Sequence, residues 1–284
     1  MSDRPDSIRD RYRVESGGEP ITVDGLPTRE SFQDEDDTEE ELTDDLRPRL
    51  YDLLDLMMAN EEHAILLVLQ GTDCSGKSGT LKHVVQAMNP VGVRVSTFAE
   101  PTEEEREEHF LERIRRGLPK PGEFAVFDRS YYEDALVPRV EGELEGEPFG
   151  DDEFDERLRE ILDFEEELAE RGITVVKCFL NLSYDEQRER FLRRIRRPDK
   201  QWKFERSDLD TRQRWPEFRV AFGEVVGRTS TEERPWYAIP VDHKWHRNWS
   251  VASILVEVME SFHEEYPPLE WDADELRAAL EPPG

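Results

Sequence analysis

Short apolar runs alternate with amphipathic stretches along the chain, and this order indicates an α/β fold. The clearest apolar run is AILLVLQ at 64–70, and an uninterrupted run of this length is typical of a strand buried on both faces. Four further runs predict strands. They lie at 93–98, 124–127, 173–180 and within 229–241. The pattern therefore predicts a parallel five-stranded sheet flanked by helices.

Apolar positions three and four residues apart predict the helices that flank this sheet. They fall at 46–58, 80–88, 102–116, 153–171, 208–226 and 251–266. Ser183 and Glu186 form a capping-box signature that opens another helix after the fourth strand. Residues 1–41 are interpreted as a polar and acidic N-terminal arm, either a loose tail or packed on a partner subunit. Residues 42–266 then form the folded domain, and 267–284 a C-terminal tail.

A glycine-rich loop follows the first strand directly. Its sequence GTDCSGKS, residues 71–78, matches G-x-x-x-x-G-K-[ST] at every fixed position. Gly71 and Gly76 permit backbone turns that a side chain would obstruct, so that the loop N–H groups can surround phosphate oxygens. Lys77 would then reach the phosphoryl group in transit, and the Ser78 hydroxyl would hold Mg²⁺. An ordinary glycine turn is the alternative, but the strand before it and the helix after it favour a phosphate-binding loop.

An acidic residue ends the third predicted strand. Asp128 and Arg129 follow FAVF, and ligands of open parallel sheets collect outside the carboxyl ends of the strands. A carboxylate at this point suits a second Mg²⁺ contact. A strand that ends in Asp is weak evidence alone, and the glycine loop makes the functional interpretation the better one.

A basic helix follows the fourth strand. The segment RERFLRRIRRPDKQWK at 188–203 has eight Lys or Arg residues and two acidic residues, Glu189 and Asp199. One interpretation is a solvated helix face with salt bridges to the acidic surface. The preferred one is a lid, at about 184–210, whose guanidinium groups clamp phosphates. Pro198 would end its helix and allow a hinge.

The rest of the chain is strongly acidic. The formal net charge is -30, from 68 acidic and 38 basic residues, of which only seven are lysine. This composition predicts adaptation to concentrated salt and gives no support to a nucleic-acid partner, since the surface repels polyanions at low salt. The two cysteines, Cys74 and Cys178, provide neither a disulfide framework nor a zinc pattern. Without a membrane-length apolar run or a signal-peptide profile, we expect a cytoplasmic protein with no membrane partner.

Beyond the glycine loop, several blocks of sequence resemble the polyphosphate kinase 2 family. They are VLQGTDCSGKSGTLKHV, NPVGVRVSTFAEPTEEE, LPKPGEFAVFDRSYYEDALVPRV, EQRERFLRRIRRPDKQWKFERSDL and RTSTEERPWYAIPVDHKWHRNWSVASIL. The resemblance extends from about residue 46 to 262. It implies a P-loop kinase-like α/β fold with a basic helical lid. It also implies Mg²⁺-dependent phosphoryl transfer between inorganic polyphosphate and nucleotides, ADP to ATP or AMP to ADP, by a homo-oligomer.

The same resemblance assigns roles to matched positions. Asp73 and Asp128 would hold Mg²⁺ and orient the acceptor phosphate, and the lid would contact the nucleotide phosphates. The residues implied to be catalytic are Asp73, Lys77, Asp128 and Arg129. Those implied to bind phosphate or nucleotide are Gly71, Gly76, Ser78, Gly79, Lys82, Arg190, Arg194 and Lys203. Tyr131 and Pro138 depart from common family residues, which leaves AMP and ADP open as the acceptor.

Two other functions compete with this one. An ATP-dependent nucleoside or nucleotide kinase would also need the glycine loop, Asp128 and a basic lid. A non-catalytic polyphosphate-binding protein would need the basic residues alone. Because Asp73, Lys77 and Asp128 occur together, the sequence favours an enzyme over the non-catalytic alternative.

Overall fold

A computed structural model describes residues 4–15, 17–98, 101–144 and 146–280. Its centre is an all-parallel five-stranded sheet in the order β2-β3-β1-β6-β7, and two short antiparallel strands form a separate hairpin. The strands are β1 (Ala64–Gln70), β2 (Val93–Thr97), β3 (Phe124–Asp128), β4 (Glu143–Leu144), β5 (Glu147–Pro148), β6 (Ile173–Asn181) and β7 (Trp236–Pro240). The predicted parallel five-stranded sheet is confirmed.

The side chains of β1 show why this strand is central. All seven of its residues are buried, and it pairs with β3 on one side and β6 on the other. Ile65, Leu67 and Leu69 join one apolar cluster, whereas Leu66 and Val68 join a second cluster on the opposite face. Helices therefore cover both faces of the sheet, which is the usual environment of a parallel sheet.

The described residues form thirteen helices, more than the seven that the apolar pattern predicts. They are α1 (Ile8–Tyr12), α2 (Glu35–Glu41), α3 (Arg47–Asn60), α4 (Lys77–His83), α5 (Glu103–Glu107), α6 (Phe110–Arg115), α7 (Glu133–Glu141), α8 (Asp151–Glu170), α9 (Tyr184–Arg196), α10 (Ser207–Gln213), α11 (Trp215–Thr229), α12 (Lys244–Glu260) and α13 (Ala273–Leu280). One π-turn, Leu42–Leu46, links α2 to α3, and 3₁₀ turns occupy Val23–Gly25, Val85–Ala87 and Gln201–Lys203.

Two predicted helices prove to be pairs of helices. The segment 102–116 divides because the His109 side chain accepts a hydrogen bond from Leu111 N and begins α6 anew. The segment 208–226 divides at Arg214, and Pro216 occupies the first turn of α11, where its missing N–H costs no hydrogen bond. The predicted helix 251–266 begins earlier, at Lys244, which brings its first turn to the carboxyl edge of the sheet.

The described part of the N-terminal arm packs on its own domain and is not a loose tail, while its packing on a partner subunit stays a prediction. Ile8 and Tyr12 are 3% exposed within the core cluster, and Val14 N donates to Trp236 O over 2.8 Å. The arm therefore belongs to the fold. Parts of the predicted arm (1–3 and 16) and tail (281–284) lie outside the described residues. Within the described ranges, no helix has both the length and the hydrophobicity to cross a bilayer.

A buried histidine ties this arm to α12. His246 is 1% exposed, and its Nε2 lies 2.7 Å from the Tyr12 hydroxyl, which also donates to Glu30 over 3.0 Å. Burial lowers the pKa of His246 to about 4, despite the opposing charge of Glu30. His246 is therefore neutral in the fold near pH 7.

We expect acid to destabilise the fold through His246. Between pH 6.5 and pH 4 the unfolded chain protonates this residue and the folded chain does not, so the free energy of unfolding falls as pH decreases. The slope is about 1.4 kcal/mol per pH unit, or about 2 kcal/mol between pH 6.5 and 5. Urea titrations of the wild type and His246→Gln at several pH values would measure it. An identical pH slope in the variant would contradict this explanation.

Candidate active site

The glycine loop has the backbone geometry that its spacing predicts. Gly71 and Gly76 have φ of 152° and 118°, values that L-residues rarely adopt. Lys77 is the first residue of α4, and its Nζ donates to the Gly71 carbonyl over 2.7 Å. This hydrogen bond uses one of the three ammonium hydrogens and holds the charge over the loop, so two donors remain for phosphate oxygens.

Asp128 reaches the same edge of the sheet because β3 pairs with β1 in register. Leu69 of β1 lies opposite Asp128, two residues before the glycine loop begins. The next residue, Arg129, has a φ of 68°, an uncommon conformation for a residue other than glycine. The hydroxyl of Ser130 accepts a hydrogen bond from Gln70 Nε2 over 3.1 Å. The two strand ends are thus joined directly beneath the loop.

A further carboxyl group faces these charges. Glu133 begins α7, and burial raises its pKa while the positive charges of Lys77 and Arg129 oppose that shift. Burial and the two cations therefore act in opposite directions on the protonation of Glu133.

Eleven of the twelve predicted site residues line one cavity of about 1150 Å³. They are Asp73, Gly76, Lys77, Ser78, Gly79, Lys82, Asp128, Arg129, Arg190, Arg194 and Lys203. The twelfth, Gly71, is not among the lining residues, and its carbonyl accepts the hydrogen bond from Lys77. Residues from the glycine loop, the end of β3 and the basic helix α9 are therefore brought together in one crevice.

The charge of this cavity is opposite to that of the whole chain. Of the described residues that line it, twelve are lysine or arginine and four carry carboxylates. The formal net charge of the protein is -30. A local positive excess in an acidic protein attracts an anionic ligand to this site and away from the remaining surface.

Comparison with known proteins now identifies the family. The family model described as polyphosphate kinase 2 matches residues 33–267. The chain belongs to the polyphosphate kinase 2 family. It is 41% identical over 231 residues to the AMP/ADP-polyphosphate phosphotransferase of Meiothermus ruber, which covers 81% of this chain and 85% of that protein. It is 39% identical over 265 residues to the ADP-polyphosphate phosphotransferase of Rhodopseudomonas palustris, with 90% and 91% covered.

Solved structures of the family agree with this fold. The crystal structure of polyphosphate kinase 2 from Arthrobacter aurescens TC1 aligns with a TM-score of 0.91 at 33% identity, over 99% of both chains. A putative polyphosphate kinase 2 from Pseudomonas aeruginosa aligns with a TM-score of 0.78 at 33% identity, over 85% of this chain and 50% of that chain. The P-loop kinase-like fold expected from the sequence is thereby confirmed.

In this polyphosphate kinase 2, Arg190 joins the basic helix to the glycine loop. Its guanidinium donates to the carbonyls of Cys74 and Ser75 over 2.9 and 3.0 Å, to the carbonyls of Val241 and Asp242, and to Glu186. Gln187 adds a bond from its side chain to Asp73 O over 3.0 Å. These bonds fix α9 on the glycine loop. The role of Arg190 in binding nucleotide phosphates stays a prediction.

The outer part of the basic segment is less enclosed. Arg194 donates to the carbonyl of Lys203 over 2.9 Å and to Asp208 over 3.3 Å, which links α9 to the turn that follows it. The helix ends at Arg196, as Pro198 predicted. Arg197 and Lys200 also line the cavity, and their side chains are 62% and 46% exposed. Both form surface ion pairs with Asp199, over 2.9 and 3.8 Å, and a phosphate ligand would compete with that carboxylate for them.

Six cations of the cavity were not among the predicted site residues: three belong to the predicted basic segment 188–203 and three to other elements. They are Arg47, Arg193, Arg197, Lys200, Lys244 and Arg247. Lys244 and Arg247 lie in the first turn of α12, which has no acidic residue. Positive charge is unfavourable at a helix N-terminus. Two cations there indicate an anionic ligand, but the apolar pattern predicts that the helix begins at 251, so this signal required the structure.

Proposed function

We propose that this enzyme transfers phosphoryl groups between inorganic polyphosphate and adenine nucleotides, converting ADP to ATP, AMP to ADP, or both. One observation supports this most strongly. Lys77 of the glycine loop, the carboxylates Asp73 and Asp128, and the basic helix α9 line a single cavity, although the whole chain is acidic. The relatives from Meiothermus ruber and Rhodopseudomonas palustris carry names that agree with it.

The proposed reaction is an in-line displacement. A terminal phosphate oxygen of the nucleotide attacks the terminal phosphorus of polyphosphate, and a new P–O bond forms. The bond from that phosphorus to its bridging oxygen breaks, so the leaving chain is shorter by one phosphate and keeps the bonding electrons. Lys77 and Arg129 would stabilise the charge on the transferred group, and no phosphoenzyme is required.

A divalent cation, which we propose to be Mg²⁺, fits the donors of this cavity. Within the described ranges, no group of three or more His, Cys, Asp or Glu side chains could enclose a metal. Mg²⁺ instead binds to one or two carboxylates together with substrate phosphates and water. Asp73 and Asp128 would provide the carboxylates, and Ser78 a hydroxyl. When bound, the cation would neutralise phosphate charge and align the two substrates.

Two polar side chains of the loop support a phosphate ligand. Thr72 Oγ1 and Ser75 Oγ are buried without a hydrogen-bond partner in the part of the chain that the structure describes. Both residues line the cavity. Buried polar atoms are almost always satisfied in a working protein. Phosphate oxygens, or the water bound to their metal, would satisfy these hydroxyls.

The lid of the proposed mechanism is the segment 184–210. Arg194 and Lys203 would contact the nucleotide phosphates, and closure over the substrates would exclude water from the transferred group. Arg190 already uses its donors on backbone carbonyls and Glu186. We infer that the base of the lid moves with the loop, while residues beyond Arg190 carry the closing motion.

We also propose a cellular location, an oligomeric state and a salt dependence for the enzyme. Two free cysteines suit the reducing cytoplasm, and a homo-oligomer is expected from the family resemblance. The acidic surface suits concentrated salt, because the Debye length falls to about 3 Å at 1 M and distant carboxylates then no longer repel polyphosphate. Direct contacts to the basic cavity would persist under those conditions.

A nucleotide assay tests the proposed function. Purified protein with polyphosphate, Mg²⁺ and either ADP or AMP, without ATP as donor, should produce ATP or ADP, measured by chromatography. The same mixture with EDTA is the control and should produce neither. If ATP with a nucleoside or nucleotide acceptor supports transfer and polyphosphate does not, the ATP-dependent kinase is correct. Binding of polyphosphate without transfer under any condition would support a non-catalytic protein.

A further inference from the structure

Arg247 carries a buried positive charge at the active-site cavity. It lies in the first turn of α12, lines the cavity and is only 3% exposed. Its Nε and Nη2 donate to the side-chain oxygen of Asn248 over 3.1 and 2.7 Å. A neutral amide oxygen does not balance the charge of a guanidinium group.

The other well-buried arginines differ in this respect. Arg190, 7% exposed, pairs with Glu186 over 2.9 Å, and Arg219, 5% exposed, pairs with Asp24 over 2.7 Å. Across the described residues, no carboxylate forms such an ion pair with Arg247. Burial and the nearby charge of Arg190 lower the pKa of Arg247 to about 9. A buried cation without an anion is costly, so its retention calls for a ligand that supplies the negative charge.

The guanidinium of Arg247 lies against the phosphate-binding loop itself. A Cβ atom on Gly76 would fall 1.9 Å from Nη1, and one on Gly79 would fall 2.6 Å from Nη2. Both distances are far below a van der Waals contact. These glycines therefore leave space for the guanidinium against the glycine loop and the first turn of α4.

We propose that Arg247 binds a phosphate oxygen of the substrate chain held at the glycine loop. The planar guanidinium matches phosphate oxygens, and it is already ordered by Asn248 and by the two glycines. Lys82 and Lys244 line the same cavity and extend the positive surface around it. The inference rests on the proposed function for the identity of the substrates, polyphosphate or nucleotide, and on the geometry for phosphate binding.

Binding measurements without turnover test this role directly. We expect Arg247→Gln to weaken the binding of tripolyphosphate, long-chain polyphosphate or ADP, each titrated alone in a calorimeter, by about tenfold to a hundredfold. Weaker binding of the polyphosphates alone assigns Arg247 to the donor, and weaker binding of ADP alone assigns it to the nucleotide. Unchanged affinity for all three ligands would overturn the proposal. Arg247→Lys, which keeps the charge, should recover part of the lost affinity.

Gly79→Ala gives an independent test that leaves the charge of Arg247 in place. The added methyl group would displace Nη2, so this variant should reproduce the loss of binding, and the double variant with Arg247→Gln should lose no more than either alone. Additive losses would show that Gly79 acts by another route and contradict the proposed contact.

A matched control separates phosphate binding from folding. Arg219 is equally buried but is paired, and it does not line the cavity. Arg219→Gln should lower the melting temperature and leave phosphate affinity unchanged. Arg247→Gln should lower phosphate affinity and leave the melting temperature unchanged. A variant of Arg247 that loses stability but retains affinity would make the residue structural and refute the proposal. Because no measurement here needs turnover, the outcome is independent of the nucleotide assay.

Discussion

Replacement of Lys77 by methionine should lower kcat for phosphoryl transfer by about a hundredfold to a thousandfold. The Lys77 ammonium is held over the glycine loop by the Gly71 carbonyl and lines the cavity with Asp128 and Arg129. Methionine keeps most of the volume and removes the charge that stabilises the transferred group. Initial rates at saturating polyphosphate and ADP would measure the loss, and the KM values should change much less.

Lys120→Met is a suitable control for the loss of a lysine charge. Lys120 is exposed, and it lies outside the residues that line the cavity. This variant should keep the wild-type rate, and both variants should keep the wild-type melting temperature within a few degrees. Full activity in Lys77→Met would refute the role assigned to the glycine loop.

The sheet could be predicted because its strands are short, almost continuous apolar runs. Each residue of β1 is buried, and a strand in that environment is encoded by a run of apolar residues. The order β2-β3-β1-β6-β7 cannot be read from such runs, because it depends on which strands pair across long separations in the sequence. Helix ends depend on single capping contacts, so the division at His109 could not be derived from an apolar periodicity that continues across it.

The site could be predicted where it is contiguous. The loop from Gly71 to Ser78 carries its own spacing, and Asp128 follows from the rule that ligands gather at carboxyl ends of strands. Arg247 lies more than 160 positions after the loop and contacts it only through the packing of α12 on α4. Its importance depends on burial and on a missing ion pair, and neither property is visible in one sequence.

The acidic composition and the basic cavity are two aspects of one arrangement. Most cations of the cavity come from the glycine loop with α4, the basic segment 188–203 and the start of α12, whereas the remaining surface carries the acidic excess. An anionic substrate is therefore directed to one opening. Added salt screens the repulsive surface more than the direct contacts. We infer that the activity of this enzyme tolerates salt better than its charge of -30 alone would suggest.

Replacement of Lys177 by methionine should destabilise the fold by about 3–5 kcal/mol. The side chain of Lys177 is 0% exposed at the centre of β6, and its Nζ donates to Glu165 and to the Thr229 carbonyl, each over 2.7 Å. Tyr131 and Tyr132 both donate to the same carboxylate over 2.7 Å. Methionine would leave Glu165 buried with two neutral donors and no cation.

Urea unfolding of single and double variants separates the charge from the packing. Glu165→Gln in the Lys177→Met background removes the buried, unpaired negative charge but keeps an oxygen that accepts from both tyrosines. It should therefore restore about 2 kcal/mol of the free energy of unfolding. Arg49→Met breaks the exposed pair with Glu260 and should cost less than about 1 kcal/mol. If the double variant were no more stable than Lys177→Met alone, packing of the lysine stem rather than its charge would account for the loss. Lys177 does not line the active-site cavity, so each folded variant should bind polyphosphate as the wild type does.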